Sequence, residues 1–369
     1  MRIAFVAPGG FDRSGREHVI PVLLSLIERL ARRHDVVVYV LRYHDRPRSY
    51  PLLGATIHDL GRPQGLWRQY LAVARAMGRD GPFDVVHGYW ALPSGLVAAL
   101  CGRRFGIPSV ATCDSGEFIA LPEIGYGSQS TRRQSMAVAA MSRIVNRLTV
   151  GSAFQAGLAR NLGIASDVLP IGVDRARFTP APRVEGPPWR LLSVARLHPV
   201  KAPHTLLDAF YALRQRGLDV LLDAVGEDML AGSLDRRARD LGIDVQVTFH
   251  GSLASHDLLP LYQRAHLLVL PSLHEAGPVV ALEAALCELP VVGSAVGFIA
   301  DWAPDRAVGV PPRNPLALAD AIQALIVDGG RRARMATAAR EWALGHDADW
   351  SALTLEHLYA ELRTTTPGS

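Results

Sequence analysis

The chain has almost no lysine: against 38 arginines it carries one, Lys201. Cysteine is nearly as scarce. Cys101, Cys113 and Cys287 are odd in number and far apart, with no CxxC or other metal-ligand spacing. That argues against a disulfide scaffold and fits reduced thiols in a cytosolic protein. The 13 histidines show no metal spacing either. Long apolar runs are also missing. The opening Met1-Arg2-Ile3-Ala4-Phe5-Val6-Ala7-Pro8 is too short for a signal-peptide core or a membrane span. It reads as a buried first strand, and no later segment reaches the ~18 apolar residues that a span needs. The expected location is cytoplasmic. Low-complexity tracts and fixed-period repeats are absent, which excludes solenoids and arrays.

With 369 residues the chain exceeds the usual size of one hydrophobic core, so two domains are expected. Hydrophobic residues at 49% and charged residues at 20% fit a soluble globular enzyme. Charge is unevenly spread. Residues 1–170 hold 20 arginines against 12 acids, a net +8, and the remainder nets −4. A basic first half suits an anionic partner such as a phospholipid surface, a lipid pyrophosphate or an acidic glycan. Scattered arginines also fit a simple compositional bias, and both readings stand. The lone lysine is more pointed. A composition that replaces nearly every lysine but keeps one suggests a place where the wide guanidinium does not serve. A compact ammonium is a point charge on phosphate.

Short apolar runs alternate with amphipathic stretches. Strands are expected at Ile3–Ala7, Val36–Leu41, Val85–His87, Ser109–Thr112 and Leu148–Val150, with helices such as Pro21–Arg33, Trp67–Gly78 and Ser94–Phe105. Such alternation predicts a parallel sheet covered on both faces, with ligands beyond the carboxyl ends of the strands. Residues 180–189 then place four prolines in ten positions, a linker composition. The alternation restarts at Leu191–Ala195 and runs through Val220–Val225, Val245–Phe249, Leu267–Leu270 and Val291–Gly293. Helices are expected between them at Ala202–Gln215, Leu234–Leu241, Leu258–Arg264 and Val279–Leu286, and the tail Pro315–Arg363 reads as almost wholly helical.

Two constellations carry chemistry. The first is Pro271-Ser272-Leu273-His274-Glu275-Ala276-Gly277-Pro278-Val279-Val280-Ala281-Leu282-Glu283. Its Gly-Pro pair opens a helix, since proline suits a first turn. Glu275 is expected in the loop at a strand end, and Glu283 about two turns into the helix. The helix N-terminus between them offers free amides and a positive dipole end to phosphate. The second is Leu192-Ser193-Val194-Ala195-Arg196-Leu197-His198-Pro199-Val200-Lys201. Two cations at a strand's carboxyl end suit a leaving diphosphate. A salt-bridged strand cap would look similar, so this pattern gains its force from the first.

Together these motifs resemble the retaining GT-B glycosyltransferases (glycosyl transferases group 1, family 4), over nearly the whole chain. Ile171-Gly172-Val173-Asp174-Arg175-Ala176-Arg177-Phe178 is similar to the family's Asn-Gly-Val-Asp linker, with Ile for Asn. Val225-Gly226-Glu227-Asp228 resembles its Val-Gly-x-Gly turn, and Phe249-His250-Gly251 its Phe-x-Gly. Pro271–Glu283 resembles its Glu-x7-Glu motif, with Ala276 for the usual Gly. Val296-Gly297-Phe298 and Asp301 stand for its Val-Gly-Gly and following Glu. In the first half, Ser14-Gly15-Arg16-Glu17-His18-Val19 is similar to its Gly-rich first loop. Asp84–Trp90 looks like its Asp-Val-Val-His-x-His stretch, and His87 there suits a structural role better than a catalytic one. Val110–Glu117 resembles its Val-Val-Thr-x-His-Gly-x-Asp segment, with Asp114 at the usual His position.

The resemblance implies an α/β GT-B fold: two doubly wound Rossmann-like domains facing across a cleft, with a helical C-terminal tail. It implies an acceptor-binding domain at 1–180, joined by a returning helix at about 347–364, and a nucleotide-sugar-binding domain at 181–346. It implies a nucleoside-diphosphate sugar as donor, a glycan or lipid-linked hydroxyl acceptor, and retention at the anomeric carbon. Arg196 and Lys201 would hold the diphosphate, Glu275 the sugar hydroxyls and Glu283 the ribose. The backbone around Gly277, Pro278, Val279 and Val280 would meet the phosphates, with the amides of Gly277, Val279 and Val280 as donors. Gly251 would lie by the base, Gly15 by the donor phosphate, and Asp114 would accept from a donor or acceptor hydroxyl. No metal cofactor and no nucleic acid is implied, and the basic first half allows a peripheral visit to the inner face of the membrane.

Two rival readings differ in what they need from the sequence. A dinucleotide-dependent dehydrogenase needs GxGxxG after the first strand, which Pro8-Gly9-Gly10-Phe11-Asp12-Arg13-Ser14-Gly15 does not supply. A non-catalytic GT-B-like partner subunit or a sugar-nucleotide-binding protein fits the departures at Asp114, Ala276 and Phe298.

Overall fold

The structure, a computed structural model, describes residues 1–16, 18–42 and 44–365, so Glu17 of the first-loop motif lies outside the described residues. The chain divides into two compact units, Met1–Gly172 with Ala348–Ser369, and Val173–Asp347.

The first unit is built on an eight-stranded sheet of β1 (Arg2–Ala7), β2 (Asp35–Val40), β3 (Arg48–Leu52), β4 (Ala55–Asp59), β5 (Val85–Tyr89), β6 (Ser109–Cys113), β7 (Arg147–Val150) and β8 (Asp167–Val168). Their spatial order is β3-β4-β2-β1-β5-β6-β7-β8, parallel except for the β3–β4 pair. The central strands are buried on both faces, which is why they read as continuous apolar runs. Helices α1 (Pro21–Ala31), α2 (Leu66–Asp80), α3 (Leu96–Phe105), α4 (Arg132–Ile144) and α5 (Ala153–Asn161) connect them. The expected Ser94 start of α3 gives way to a wide turn at Ala91–Gly95.

The second unit is a six-stranded, all-parallel sheet of β9 (Trp189–Val194), β10 (Val220–Val225), β11 (Val247–Phe249), β12 (Leu267–Leu270), β13 (Val291–Ser294) and β14 (Ala307–Val310), in the order β11-β10-β9-β12-β13-β14. The order reverses at β9 and β12, and such a switch point opens a crevice at the carboxyl ends of the strands. Its helices are α6 (Pro203–Gln215), α7 (Ser233–Asp240), α8 (Ser255–Arg264), α9 (Val279–Leu286), α10 (Phe298–Trp302), α11 (Pro315–Val327) and α12 (Gly329–Gly345). Both units are thus Rossmann-like.

The tail is helical as expected, and its last helix, α13 (Ala348–Thr365), belongs to the first unit. There Arg29 Nε donates to Asp349 at 2.9 Å, and Ser351 Oγ both donates to the Pro170 carbonyl and accepts from Gly172 N. The proline-rich segment is not a free linker. The unit boundary falls at Gly172, and Arg183 anchors the segment by donating to the carbonyls of Glu288 and Cys287 at the end of α9. Phe178 packs edge-on against Tyr262, with ring centroids 5.7 Å apart. Proline composition marks a stretch without regular hydrogen bonding, and tertiary contacts decide whether it is loose. Among the described residues no helix is long and apolar enough to cross a membrane.

Candidate active site

Arg196 and Lys201 follow the carboxyl end of β9. That end is pinned to the neighbouring strand end, with Ala195 N on the Val225 carbonyl at 2.9 Å and Leu197 N on that of Glu227 at 2.8 Å. The approach requires glycine at 226: its φ is +147°, and a Cβ there would sit 1.8 Å from the Ala195 oxygen. His198 Nδ1 accepts from Val200 N at 3.2 Å and caps the tight turn Pro199–Lys201 that presents the lysine. The Arg196 guanidinium is exposed and has no ion-pair partner among the described residues.

Glu275 lies in the loop after β12, as expected. Lys201 Nζ donates to Glu275 Oε1 at 2.7 Å, and Ser272 Oγ donates to the same oxygen at 2.7 Å. The two loops also meet through the backbone, Leu273 N donating to the Val200 carbonyl at 2.7 Å. Side-chain exposure is 29% for Lys201 and 10% for Glu275, so the pair is held in a site far less polar than water. A second tight glycine shapes it. Gly297 has φ +56°, and a Cβ there would stand 2.9 Å from both Glu275 Cβ and Pro278 Cδ.

Helix α9 begins at Val279 with Pro278 as its cap residue. Proline has no side-chain oxygen, so the first-turn amides at Val279 and Val280 receive no side-chain cap and stay available to an anion. Gly277, Val279 and Val280 are half-buried around this end. Glu283 is the fifth residue of the helix, little more than one turn in, because the helix starts after the Gly-Pro pair rather than before it. It is half-buried and accepts from the fully buried Tyr262 hydroxyl at 2.6 Å. Burial raises the Glu283 carboxyl above its ordinary range, with the Tyr262 hydrogen bond and the Arg177 charge acting the other way. The same burial pushes the Tyr262 hydroxyl up.

Gly251 follows β11 with φ +65°, open space where a Cβ would be, and its carbonyl held by Gly226 N at 2.9 Å. Beside it, Asp223 Oδ1 accepts from both His250 Nε2 at 2.6 Å and Arg264 Nη2 at 2.9 Å. Among the described residues the second unit therefore joins Lys201 to Glu275 beyond the carboxyl ends of β9 and β12, with Arg196 on the same β9 loop, Glu283 one turn into α9, and Gly251 after β11, two strands from β9.

In the first unit, Asp114 follows β6, and its Oδ2 accepts from the buried Tyr89 hydroxyl at 3.0 Å. Glu117, three residues on, is buried and accepts from Ser115 N at 2.7 Å and Ala91 N at 3.4 Å. Burial pushes its carboxyl up to about 7, against those amide donors. His87 is structural: its ring lies between Tyr359 Oη at 2.6 Å and Thr112 Oγ1 at 2.8 Å, and burial pushes it down to about 3. Gly15 sits in the loop after β1 with φ +64°, its amide on the Asp12 carbonyl at 2.9 Å.

Sequence reasoning missed Tyr262 and Ser272. Ser272 stood inside the motif and could have been picked out by its three-residue offset from Glu275. Tyr262 lies 21 residues before Glu283 on another helix, with no local signal.

Comparison with known proteins gives a consistent result. The family model described as "Glycosyl transferases group 1" matches residues 174–342, and "Glycosyl transferase 4-like domain" matches residues 19–173. A D-inositol 3-phosphate glycosyltransferase of Salinispora arenicola is 30% identical over 345 residues, covering 85% of this chain and 76% of the relative. One from Arthrobacter sp. is 27% identical over 403 residues, covering 97% and 95%. Among solved structures, a sucrose-phosphate synthase from Thermosynechococcus elongatus aligns with a TM-score of 0.84 at 20% identity, covering 99% of each chain. Anabaena HepE, solved in complex with UDP-glucose, aligns with a TM-score of 0.74 at 18% identity, covering 99% of this chain and 100% of that one.

Proposed function

Since the chain belongs to the group 1 glycosyl transferases, on a GT-B fold, we propose that it moves a sugar from a nucleoside-diphosphate donor to a hydroxyl acceptor with retention at the anomeric carbon. The observation that carries this reading is the Lys201–Glu275–Ser272 cluster beside the uncapped start of α9. A sugar nucleotide needs those parts: acceptors for hydroxyls, donors for pyrophosphate, and fixed positive charge for the leaving group.

In this reading the acceptor oxygen bonds to the anomeric carbon while the bond from that carbon to the diphosphate breaks. The electron pair leaves on the diphosphate, and the hydroxyl proton leaves with it. Lys201, Arg196 and the amides at Gly277–Val280 take up the charge, a role preorganised donors fill without a divalent ion. Glu275 accepts from donor-sugar hydroxyls, Glu283 from the ribose, Gly251 borders the base and Gly15 the phosphate. Asp114 accepts from an acceptor or donor-sugar hydroxyl. The acceptor is a glycan or a lipid-linked saccharide, met in the cytoplasm at the inner membrane face. The +8 net charge of residues 1–170 supports that last point.

Titration of the purified chain with UDP-, GDP- and ADP-sugars tests the donor assignment, and the anomeric configuration of the product tests retention. Unchanged turnover in Lys201→Ala and Glu275→Ala would remove the site assignment. Donor hydrolysis by the wild type excludes a non-catalytic subunit.

A further inference from the structure

One guanidinium in the proline-rich run grips both of the helices that frame Glu283. Arg183 Nη1 donates to the Glu288 carbonyl at 2.6 Å, and Nη2 donates to the carbonyls of Cys287 at 2.5 Å and Tyr262 at 3.3 Å. The first two close the end of α9, and the third lies in the last turn of α8. Two of these partners lead to Glu283 in one step. The Cys287 amide donates to the Glu283 carbonyl at 3.2 Å, and the Tyr262 hydroxyl donates to the Glu283 carboxylate at 2.6 Å. The backbone and the side chain of the same glutamate are therefore each one residue removed from Arg183.

Capping α9 alone would not need this arrangement. Any donor at a helix end satisfies its last carbonyls, and water does so as well. The bond to Tyr262 adds nothing to the end of α9 and instead fixes α8 against it. The rest of the run follows the same line. Phe178 packs edge-on against the Tyr262 ring, Gln263 Nε2 donates to the Thr179 carbonyl at 2.9 Å, and His266 Nε2 lies 2.8 Å from the Val184 carbonyl. Residues 178–184 thus track residues 262–266. The end of α9 is also strained, since Glu288 holds the left-handed φ of +52°. Such positions persist where their surroundings over-determine them. Here Arg183 holds the Glu288 carbonyl and Arg340 meets its carboxylate at 3.5 Å. A guanidinium is planar with fixed donor directions, so it sets the spacing of two helices in a way that a point charge does not.

We propose that Arg183 is a positioning residue for donor binding: by clamping α8 to α9 it holds the Tyr262–Glu283 pair in the geometry that recognises the ribose hydroxyls. It touches no substrate itself. The inference rests on the reading above that places the ribose at Glu283, and it gives that recognition a support outside the site. Without the clamp the Tyr262 hydroxyl and the Glu283 carboxylate lose their fixed spacing, and the carboxylate is no longer aimed at the sugar.

Calorimetric titration of the full chain with UDP, GDP and ADP, and with the 2′-deoxy and 3′-deoxy forms of each, tests the proposal. The wild type is expected to bind a ribonucleotide about 10–100-fold more tightly than at least one of its deoxy forms, the range for a hydrogen bond to a charged group. In Arg183→Gln that ratio is expected to fall to within about threefold, because affinity for the ribonucleotide drops while affinity for the deoxy form stays. A merely structural role would lower the melting temperature and weaken both nucleotides alike, leaving the ratio intact. Arg183→Lys keeps the charge without the planar fork and is expected to lower the ratio by at least about threefold. It carries the test should Arg183→Gln not fold. A wild-type ratio in a folded variant overturns this inference alone. A wild type that binds a nucleotide but ignores both deoxy changes removes the ribose from Glu283 and this inference with it. One that binds no nucleotide loses the function proposed above as well.

Discussion

Lys201 Nζ stands 2.7 Å from Glu275 Oε1, and the same oxygen is 2.7 Å from Ser272 Oγ. The lysine of a chain with 38 arginines thus sits where three short polar groups converge in a mostly buried space. A guanidinium is wider, planar and fixed in its donor directions, so it cannot serve as a point charge between this carboxylate and a phosphate. Lys201→Arg is expected to lower kcat/KM about 100-fold, and Lys201→Ala at least as much, the range for removing one preorganised donor. Steady-state kinetics on the donor decide it. Arginine serving within about twofold of lysine would make the survival of this lysine accidental.

The site was legible where its signal was local and obscure where it was tertiary. Glu275 could be placed because an apolar strand precedes it and a Gly-Pro pair follows it. Its contact with Lys201 spans 74 positions and depends on β9 and β12 being neighbours, which alternation alone does not fix. The antiparallel edge pair β3–β4 carries no clear strand signal, because Arg48-Ser49-Tyr50-Pro51-Leu52 is polar and contains proline, features tolerated only on an edge. The proline-rich run shows irregular backbone and says nothing of Arg183, which binds that backbone to the end of α9.

Gly297 offers a test of packing around Glu275. At φ +56°, with Glu275 Cβ and Pro278 Cδ 2.9 Å from a would-be Cβ, Gly297→Ala must either push the Glu275 loop or strain the backbone. The expected loss is about 1–3 kcal/mol in stability with about a tenfold rise in donor KM. Gly157→Ala is the control. It lies within α5 with nothing within 4 Å, and it should be neutral or stabilising by up to ~1 kcal/mol. Thermal melts and donor kinetics on the two variants give the comparison, and an unaffected Gly297→Ala would mean the loop is not constrained there.

Tyr262 should tune the acid limb of donor binding. Its hydroxyl donates to Glu283 at 2.6 Å and holds that carboxyl's pKa down against the burial that raises it. In Tyr262→Phe that support is gone, so Glu283 takes up its proton at higher pH. If the ionised carboxylate accepts from the ribose, donor KM in the variant rises as pH falls and does so from a higher pH than in the wild type. The hydrogen bond to a charged group is worth about 1.5–3 kcal/mol. A donor KM–pH profile that superimposes on the wild type would separate Glu283 from the ribose.

Glu117 and His87 set opposing pH slopes on the first unit. The Glu117 pKa is raised from 4.5 to about 7, so its stabilising contribution is complete below pH ~4.5 and is lost as pH rises through about 7. The His87 pKa is lowered from 6.5 to about 3, so its contribution is complete above pH ~6.5 and is lost as pH falls toward 3. Between about 4.5 and 6.5 the two slopes partly cancel in the wild type. Glu117→Gln removes one of them and leaves the other. The variant's stability relative to wild type should therefore climb from pH 4.5 to pH 7.5, by at most about 3 kcal/mol at 1.36 kcal/mol per pKa unit. The glutamine also loses one acceptor for the amides of Ser115 and Ala91, a cost that shifts the whole curve without tilting it. Urea midpoints of both proteins across that range measure the tilt. A constant difference would show that Glu117 titrates in its ordinary range.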